Sequence, residues 1–114
     1  MNHKLAVEAL ASLAQETRLA IYRLLVKRGP EGFAAGEIAE RLGIPGPTMS
    51  FHLKALAQAD LVVTRKESRF IYYAANFEQM NALVGYLSEN CCSLGSACDA
   101  VCAPSKTSAK RKSA

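Results

Sequence analysis

The break at residues 43–46, Gly-Ile-Pro-Gly, constrains the fold most, because it separates two short segments of helical periodicity. Before the break, residues 35–42 place apolar side chains at helical spacing. After it, Pro47 suits the first turn of a second helix over residues 47–59. This second helix carries one apolar stripe, formed by Met49, Leu53 and Leu56. Two short helices joined by a tight turn that contains glycine predict a helix-turn-helix.

Three further helices are predicted from the spacing of apolar side chains, over residues 5–14, 16–28 and 77–89. The middle one ends at Gly29 and Pro30, since proline lacks the amide that would continue a helix and glycine suits its cap. Gly32 is expected to leave the following connection loose.

The periodicity changes from helical to extended after Asp60. Residues 61–65 and 69–73 are rich in β-branched and aromatic side chains, and the polar residues 66–68 between them fit the tip of a hairpin. The expected fold is therefore mainly α with a small β-hairpin, a winged helix-turn-helix.

The chain is expected to divide into three parts. Residues 1–90 form the helical domain with its hairpin, residues 91–102 are a cysteine-rich segment, and residues 103–114 are a disordered basic tail. No apolar run approaches the roughly 18 residues of a membrane span, so a cytoplasmic location is expected. No nucleophile beside a base and no phosphate-binding loop is visible, and an enzyme is not expected.

The net charge of +4 says little about nucleic acid by itself, because much of it lies in the last nine residues. The basic residues there are Lys106, Lys110, Arg111 and Lys112. Without these four, the body of the chain has as many acidic as basic residues. Local clustering, and not net charge, must therefore argue for DNA binding.

Two clusters provide that argument. On the helix over residues 47–59, the hydroxyls and the lysine that lie off the apolar stripe are suited to phosphates or base edges. The residues of this helix assigned to DNA contact are Pro47, Thr48, Ser50, Phe51 and Lys54. The hairpin carries three cations near its tip: Arg65, Lys66 and Arg69. His52 is assigned to the same interface, with a structural position inside the fold as the other interpretation. Each set could also be an ordinary solvated surface. For the hairpin, the position directly after a helix-turn-helix favours contact with DNA.

The four cysteines lie within twelve residues: Cys91, Cys92, Cys98 and Cys102. In a chain kept reduced, clustered cysteines more often bind a metal or metalloid or sense redox state than form structural disulfides. These alternatives remain open on composition and spacing.

Together these features resemble the arsenic-type (ArsR/SmtB) family of winged helix-turn-helix repressors, over about residues 5–90. The resemblance is carried by the segments Leu-Ala-Gln-Glu-Thr-Arg-Leu at 13–19, Ser-Phe-His-Leu-Lys-Ala-Leu at 50–56 and the hairpin. It implies a homodimer built from the first and last helices, bound to an inverted-repeat operator and released by an inducer.

The resemblance also implies where an inducer binds. The sites of other members are absent, because residues 37–42 contain no cysteine and residues 77–89 contain no histidine. Some arsenite-sensing members have two adjacent cysteines followed, after five residues, by a third cysteine, and this chain has the same spacing. It implies that Cys91, Cys92 and Cys98 bind As(III) or Sb(III), while Cys102 would complete a four-thiolate Zn(II) site. Ser68 stands where the family often has glycine, which leaves the geometry of the hairpin turn open.

Overall fold

The computed structural model describes residues 1–95, which form five helices and three strands. In chain order these are α1 (His3–Leu13), α2 (Glu16–Arg28), β1 (Phe33–Ala34), α3 (Ala35–Leu42), α4 (Gly46–Gln58), β2 (Val62–Glu67), β3 (Phe70–Ala75) and α5 (Phe77–Ser88). The strands form one antiparallel sheet in the order β1-β3-β2. Among the described residues, no helix is long and apolar enough to cross a bilayer.

The helix-turn-helix predicted from the sequence is confirmed in α3 and α4. Gly43 ends α3 in the left-handed conformation, with φ +66° and ψ +38°, which glycine adopts without the steric penalty of a side chain. Pro45 then precedes α4 in an extended conformation, and Pro47 lies in its first turn. The turn between the helices is therefore set by local sequence.

The apolar stripe of α4 forms the centre of the core. Met49, Leu53 and Leu56 are buried, and they pack in one cluster with Ile21 and Leu25 of α2. The exposed side of α4 consequently faces away from the rest of the domain.

The hairpin is part of a three-stranded sheet, because the two-residue strand β1 pairs with β3. The expectation of a loose connection at Gly32 was wrong. Gly32 has φ +72°, and a Cβ atom there would lie 2.5 Å from the carbonyl oxygen of Tyr73. The glycine thus permits the close approach of the chain to β3.

The turn of the hairpin lies two residues later than its predicted start. Glu67 pairs with Phe70, so Ser68 and Arg69 alone form the turn. Ser68 has φ +60°, which a non-glycine residue adopts at some steric cost. The serine therefore takes the left-handed conformation that a glycine would adopt more easily.

The outer surfaces of α1 and α5 are apolar. The side of α1 that packs inside carries Ala6 and Ala9, while three of its larger apolar side chains, Leu5, Val7 and Leu10, are exposed. On α5, Leu83 is buried, but Val84 is 58% and Leu87 61% exposed. These two helices keep apolar area that a single chain does not cover.

Candidate nucleic-acid interface

The outward face of α4 carries the residues expected to contact DNA. Pro47, Thr48, Ser50, Phe51 and Lys54 are all exposed. The first amides of a helix lack partners within it, and the residue before α4, Pro45, provides no side-chain cap. The start of α4 therefore combines exposed hydroxyls with backbone donors, which suits phosphate and base-edge acceptors.

His52 is the exception among the predicted residues of α4. It is only 7% exposed, and its Nδ1 lies 3.4 Å from Nη1 of Arg18 on α2. Because a guanidinium only donates hydrogen bonds, this contact requires the histidine tautomer with a free lone pair on Nδ1. Its position corrects the assignment of His52 to the DNA-facing surface, since the side chain packs inside the domain.

Arg18 contacts α1 as well as His52. Its Nε donates to the carbonyl oxygen of Ser12 at 2.7 Å, just before the end of α1. The guanidinium thus links α1, α2 and α4. Arg18 was not predicted as a structural residue, although it precedes Ile21 and Leu25 by three and seven residues, the spacing of the buried face of α2.

The exposed ring of Phe51 rests against His52. Their ring centroids are 5.5 Å apart with an interplanar angle of 67°, an edge-to-face arrangement. The buried histidine therefore supports the most prominent apolar side chain on the outward face of α4, which is 65% exposed.

The three cations of the hairpin differ in their surroundings. Arg65 contacts Glu67 at 3.1 Å, and its guanidinium lies 4.9 Å from the ring centroid of Tyr72. Lys66 and Arg69 are exposed, and neither is in an ion pair with another described residue. A pair between exposed groups contributes little stability but partly neutralises the cation, so Lys66 and Arg69 present the stronger field to a phosphate.

The first two cysteines follow α5 directly. The Cys91 and Cys92 sulfurs lie 3.6 Å apart. Cys92 has φ +61° and Asn90 has φ +58°, so the backbone here is not helical. Within residues 1–95 no group of three or more His, Cys, Asp or Glu side chains is placed to hold a metal ion. The other two predicted ligands, Cys98 and Cys102, lie outside the described residues.

Comparisons with known proteins agree with the winged helix-turn-helix fold. A family model described as a helix-turn-helix domain matches residues 13–65. The HTH-type transcriptional regulator YceK of Bacillus subtilis is 39% identical over 71 residues, which cover 62% of this chain and 70% of YceK. An ArsR-like transcriptional regulator from Rhodococcus sp. RHA1 superposes with a TM-score of 0.68 at 29% identity, over 75% of this chain and 78% of that one.

A further solved structure gives the assembly of one relative. It is the homodimeric winged helix-turn-helix DNA-binding domain of Mb0332 from Mycobacterium bovis, a possible ArsR-family regulator, with a TM-score of 0.61 and 30% identity. The match covers 76% of this chain and 81% of that domain. The chain belongs to the ArsR-type family of winged helix-turn-helix transcriptional regulators.

Membership of the ArsR type gives the domain a biochemical class. The matched relatives include HTH-type transcriptional regulators, and this chain is likewise a DNA-binding transcriptional regulator and not an enzyme. In a helix-turn-helix the second helix lies in the major groove of DNA, and that helix is α4 here, with the β2–β3 hairpin as the wing. The exposed residues of α4 and the wing cations therefore form the candidate interface.

Proposed function

We propose that the chain is a repressor that binds operator DNA as a homodimer and releases it when As(III) or Sb(III) binds the thiolates of Cys91, Cys92 and Cys98. The observation that carries this proposal is the pair of adjacent sulfurs, 3.6 Å apart, at the end of α5. The proposal joins a DNA-reading surface on α4 to a soft-ion site at the last helix.

The spacing of the two sulfurs suits a chelate. Two thiolates bound to one tetrahedral zinc at about 2.3 Å each lie roughly 3.8 Å apart, close to the separation of the Cys91 and Cys92 sulfurs. Adjacent residues on a regular helix point away from each other, and the positive φ of Cys92 removes that obstacle. Soft trivalent ions select thiolates over oxygen or nitrogen ligands. Cys91 and Cys92 would hold such an ion, with a third thiolate from Cys98.

A homodimer is proposed from the apolar surfaces of α1 and α5. Large side chains of both helices are exposed in the single chain, among them Leu5, Leu10, Val84 and Leu87. The two helices also contact each other, since His3 Nδ1 lies 3.0 Å from the hydroxyl of Tyr86. A second copy would cover this surface and place two α4 helices about one turn of DNA apart.

Inducer and operator are coupled through α5 in this proposal. Closing three thiolates around one ion just after α5 would shift that helix at the proposed dimer interface. The two α4 helices would then lose their match to successive major grooves. A coupling of about 1–3 kcal/mol per site is typical of allosteric proteins, and two sites in a dimer double it.

A thiol-redox regulator is the second candidate, and one observation favours it. Cys92 is disulfide-bonded in the structure. Three-thiolate binding requires the reduced form, whereas a redox regulator would release or bind DNA as that bond forms. A zinc-responsive regulator would instead need Cys102 as a fourth ligand.

The test is fluorescence anisotropy of the reduced protein on its own upstream promoter DNA, titrated in parallel with arsenite, zinc and peroxide. The proposal predicts release by arsenite, with zinc and peroxide inert. Cys91→Ser, Cys92→Ser and Cys98→Ser should each abolish the arsenite response, while Cys102→Ser, the matched control, keeps it. Release by zinc alone or by peroxide alone would assign the site to the corresponding alternative.

A further inference from the structure

Phe51 occupies the middle of the outward face of α4. Thr48 lies one turn before it and Lys54 one turn after it, and all three are exposed. With 65% of its surface exposed, Phe51 is the most exposed aromatic residue among the exposed large apolar side chains of residues 1–95. Its position means that any duplex lying against α4 meets the phenyl ring.

The ring is held in place before DNA arrives. Its neighbour His52 is 7% exposed and packs edge-to-face against it, with the ring centroids 5.5 Å apart. His52 in turn contacts Arg18 at 3.4 Å. A side chain supported in this way loses less conformational freedom on binding than a freely rotating one.

The chemistry of the ring restricts what it can recognise. A phenyl group neither donates nor accepts an ordinary hydrogen bond, so it gains nothing from a phosphate, and Lys54 beside it is the group suited to that contact. In the major groove the apolar feature of the base edges is the C5-methyl group of thymine. Cytosine offers an amino group and the purines offer acceptors or donors, which a phenyl ring would leave without a partner.

We infer that Phe51 packs on the C5-methyl group of one thymine in each operator half-site and thereby selects thymine at that position. This inference rests on the proposed function as an operator-binding dimer. His52 acts as a positioning residue that presents the ring, and Arg18 holds His52.

The expected effect follows from the burial of one methyl group. Removing it should weaken binding about fourfold for one half-site and about 15-fold when both half-sites are changed. Because the contact is apolar, the ratio of the dissociation constants with and without the methyl group should be the same at low and high salt. Loss of a phosphate contact would instead change the salt dependence of binding.

The experiment replaces thymine by deoxyuridine, which lacks only the methyl group. The operator is first located by footprinting with the reduced full-length protein. Each thymine of the protected half-sites is then replaced symmetrically, and dissociation constants are measured by anisotropy. One symmetric pair should show the roughly 15-fold loss with the unchanged protein. The variant Phe51→Ala should bind the thymine operator more weakly and should not distinguish thymine from deoxyuridine.

Lys54→Ala is the matched control, because it lies on the same exposed face. It should weaken binding to both operators equally and keep the discrimination. Equal binding of thymine and deoxyuridine operators by the unchanged protein at every position would overturn the inference, as would full discrimination by Phe51→Ala. These failures leave operator binding intact, whereas absence of a footprint would reject the proposed function and the inference with it.

Discussion

The guanidinium of Arg18 lies 3.4 Å from the imidazole of His52, which joins the buried side of α2 to the buried side of α4. The same guanidinium is bonded to the Ser12 carbonyl at 2.7 Å. One side chain therefore fixes α4 against α1 and α2. The bond to Ser12 is the shorter and stronger contact, and the contact with His52 is at the long end of the hydrogen-bond range.

Arg18→Met should lower the free energy of unfolding by about 1.5–3 kcal/mol, because a half-buried carbonyl loses a charged donor. The free energy of unfolding of Arg18→Lys should lie between that of the unchanged protein and that of Arg18→Met, since an ammonium on a flexible stem cannot reproduce the planar guanidinium. Urea unfolding of both variants measures this. In a cycle with His52→Leu the two losses should be non-additive by more than about 0.5 kcal/mol. Strictly additive losses would contradict a coupled Arg18–His52 contact.

Much of this fold is predictable from local sequence, and the reasons are visible in particular residues. The bounds of α2 and α3 are as predicted because Gly29 and Gly43 end them. The stripe of α4 is as predicted because its period matches one buried face. Strand β1 was not predicted, since two residues are too short to show a period and the strand exists only through its pairing with β3.

Gly32→Ala should destabilise the protein by at least about 2 kcal/mol, because alanine is strained at positive φ and its Cβ would overlap the Tyr73 carbonyl. The matched control is Gly36→Ala in α3, where an added Cβ meets nothing within 4 Å. That variant should be neutral or slightly more stable, since alanine favours the helix. Thermal unfolding compares them. Equal melting temperatures would show that β1 does not approach β3 as closely as described.

Leu87→Glu on α5 should convert the proposed dimer to a monomer and weaken operator binding, because a charge would be buried in an apolar interface. The side chain is 61% exposed in the single chain, so the fold of the monomer should survive. Val63→Glu on β2, a site 46% exposed, is the control and should leave the dimer intact. Sedimentation equilibrium gives the oligomeric state. A dimeric Leu87→Glu protein would place the interface elsewhere.

Lys66→Ala and Arg69→Ala should each weaken operator binding and reduce the slope of log K against log salt by about 2 per dimer, one phosphate contact per wing. Arg65→Ala should have a smaller effect, because Glu67 at 3.1 Å already opposes its charge. Anisotropy at several salt concentrations measures the slopes. If Lys66→Ala and the unchanged protein have the same slope, Lys66 does not contact a phosphate.

The candidate site is predictable in composition and less so in orientation. Pro47, Thr48, Ser50 and Lys54 are exposed as a DNA-facing set must be, since they lie off the apolar stripe. The inward direction of His52 depends on a partner 34 residues earlier in the chain, which no local pattern reveals. The difference between Arg65 and Lys66 likewise arises from pairing across the hairpin, which places Tyr72 opposite Arg65.

Release of operator DNA by arsenite is tested by the affinity of the reduced protein for arsenite, measured by titration calorimetry with and without saturating operator DNA. Binding free energies are reciprocal, so operator should weaken arsenite binding by the same factor by which arsenite weakens operator binding. With a coupling of about 1–3 kcal/mol per site that factor is roughly 5- to 150-fold. An arsenite affinity that does not change when operator is added would contradict release of DNA through the cysteine segment.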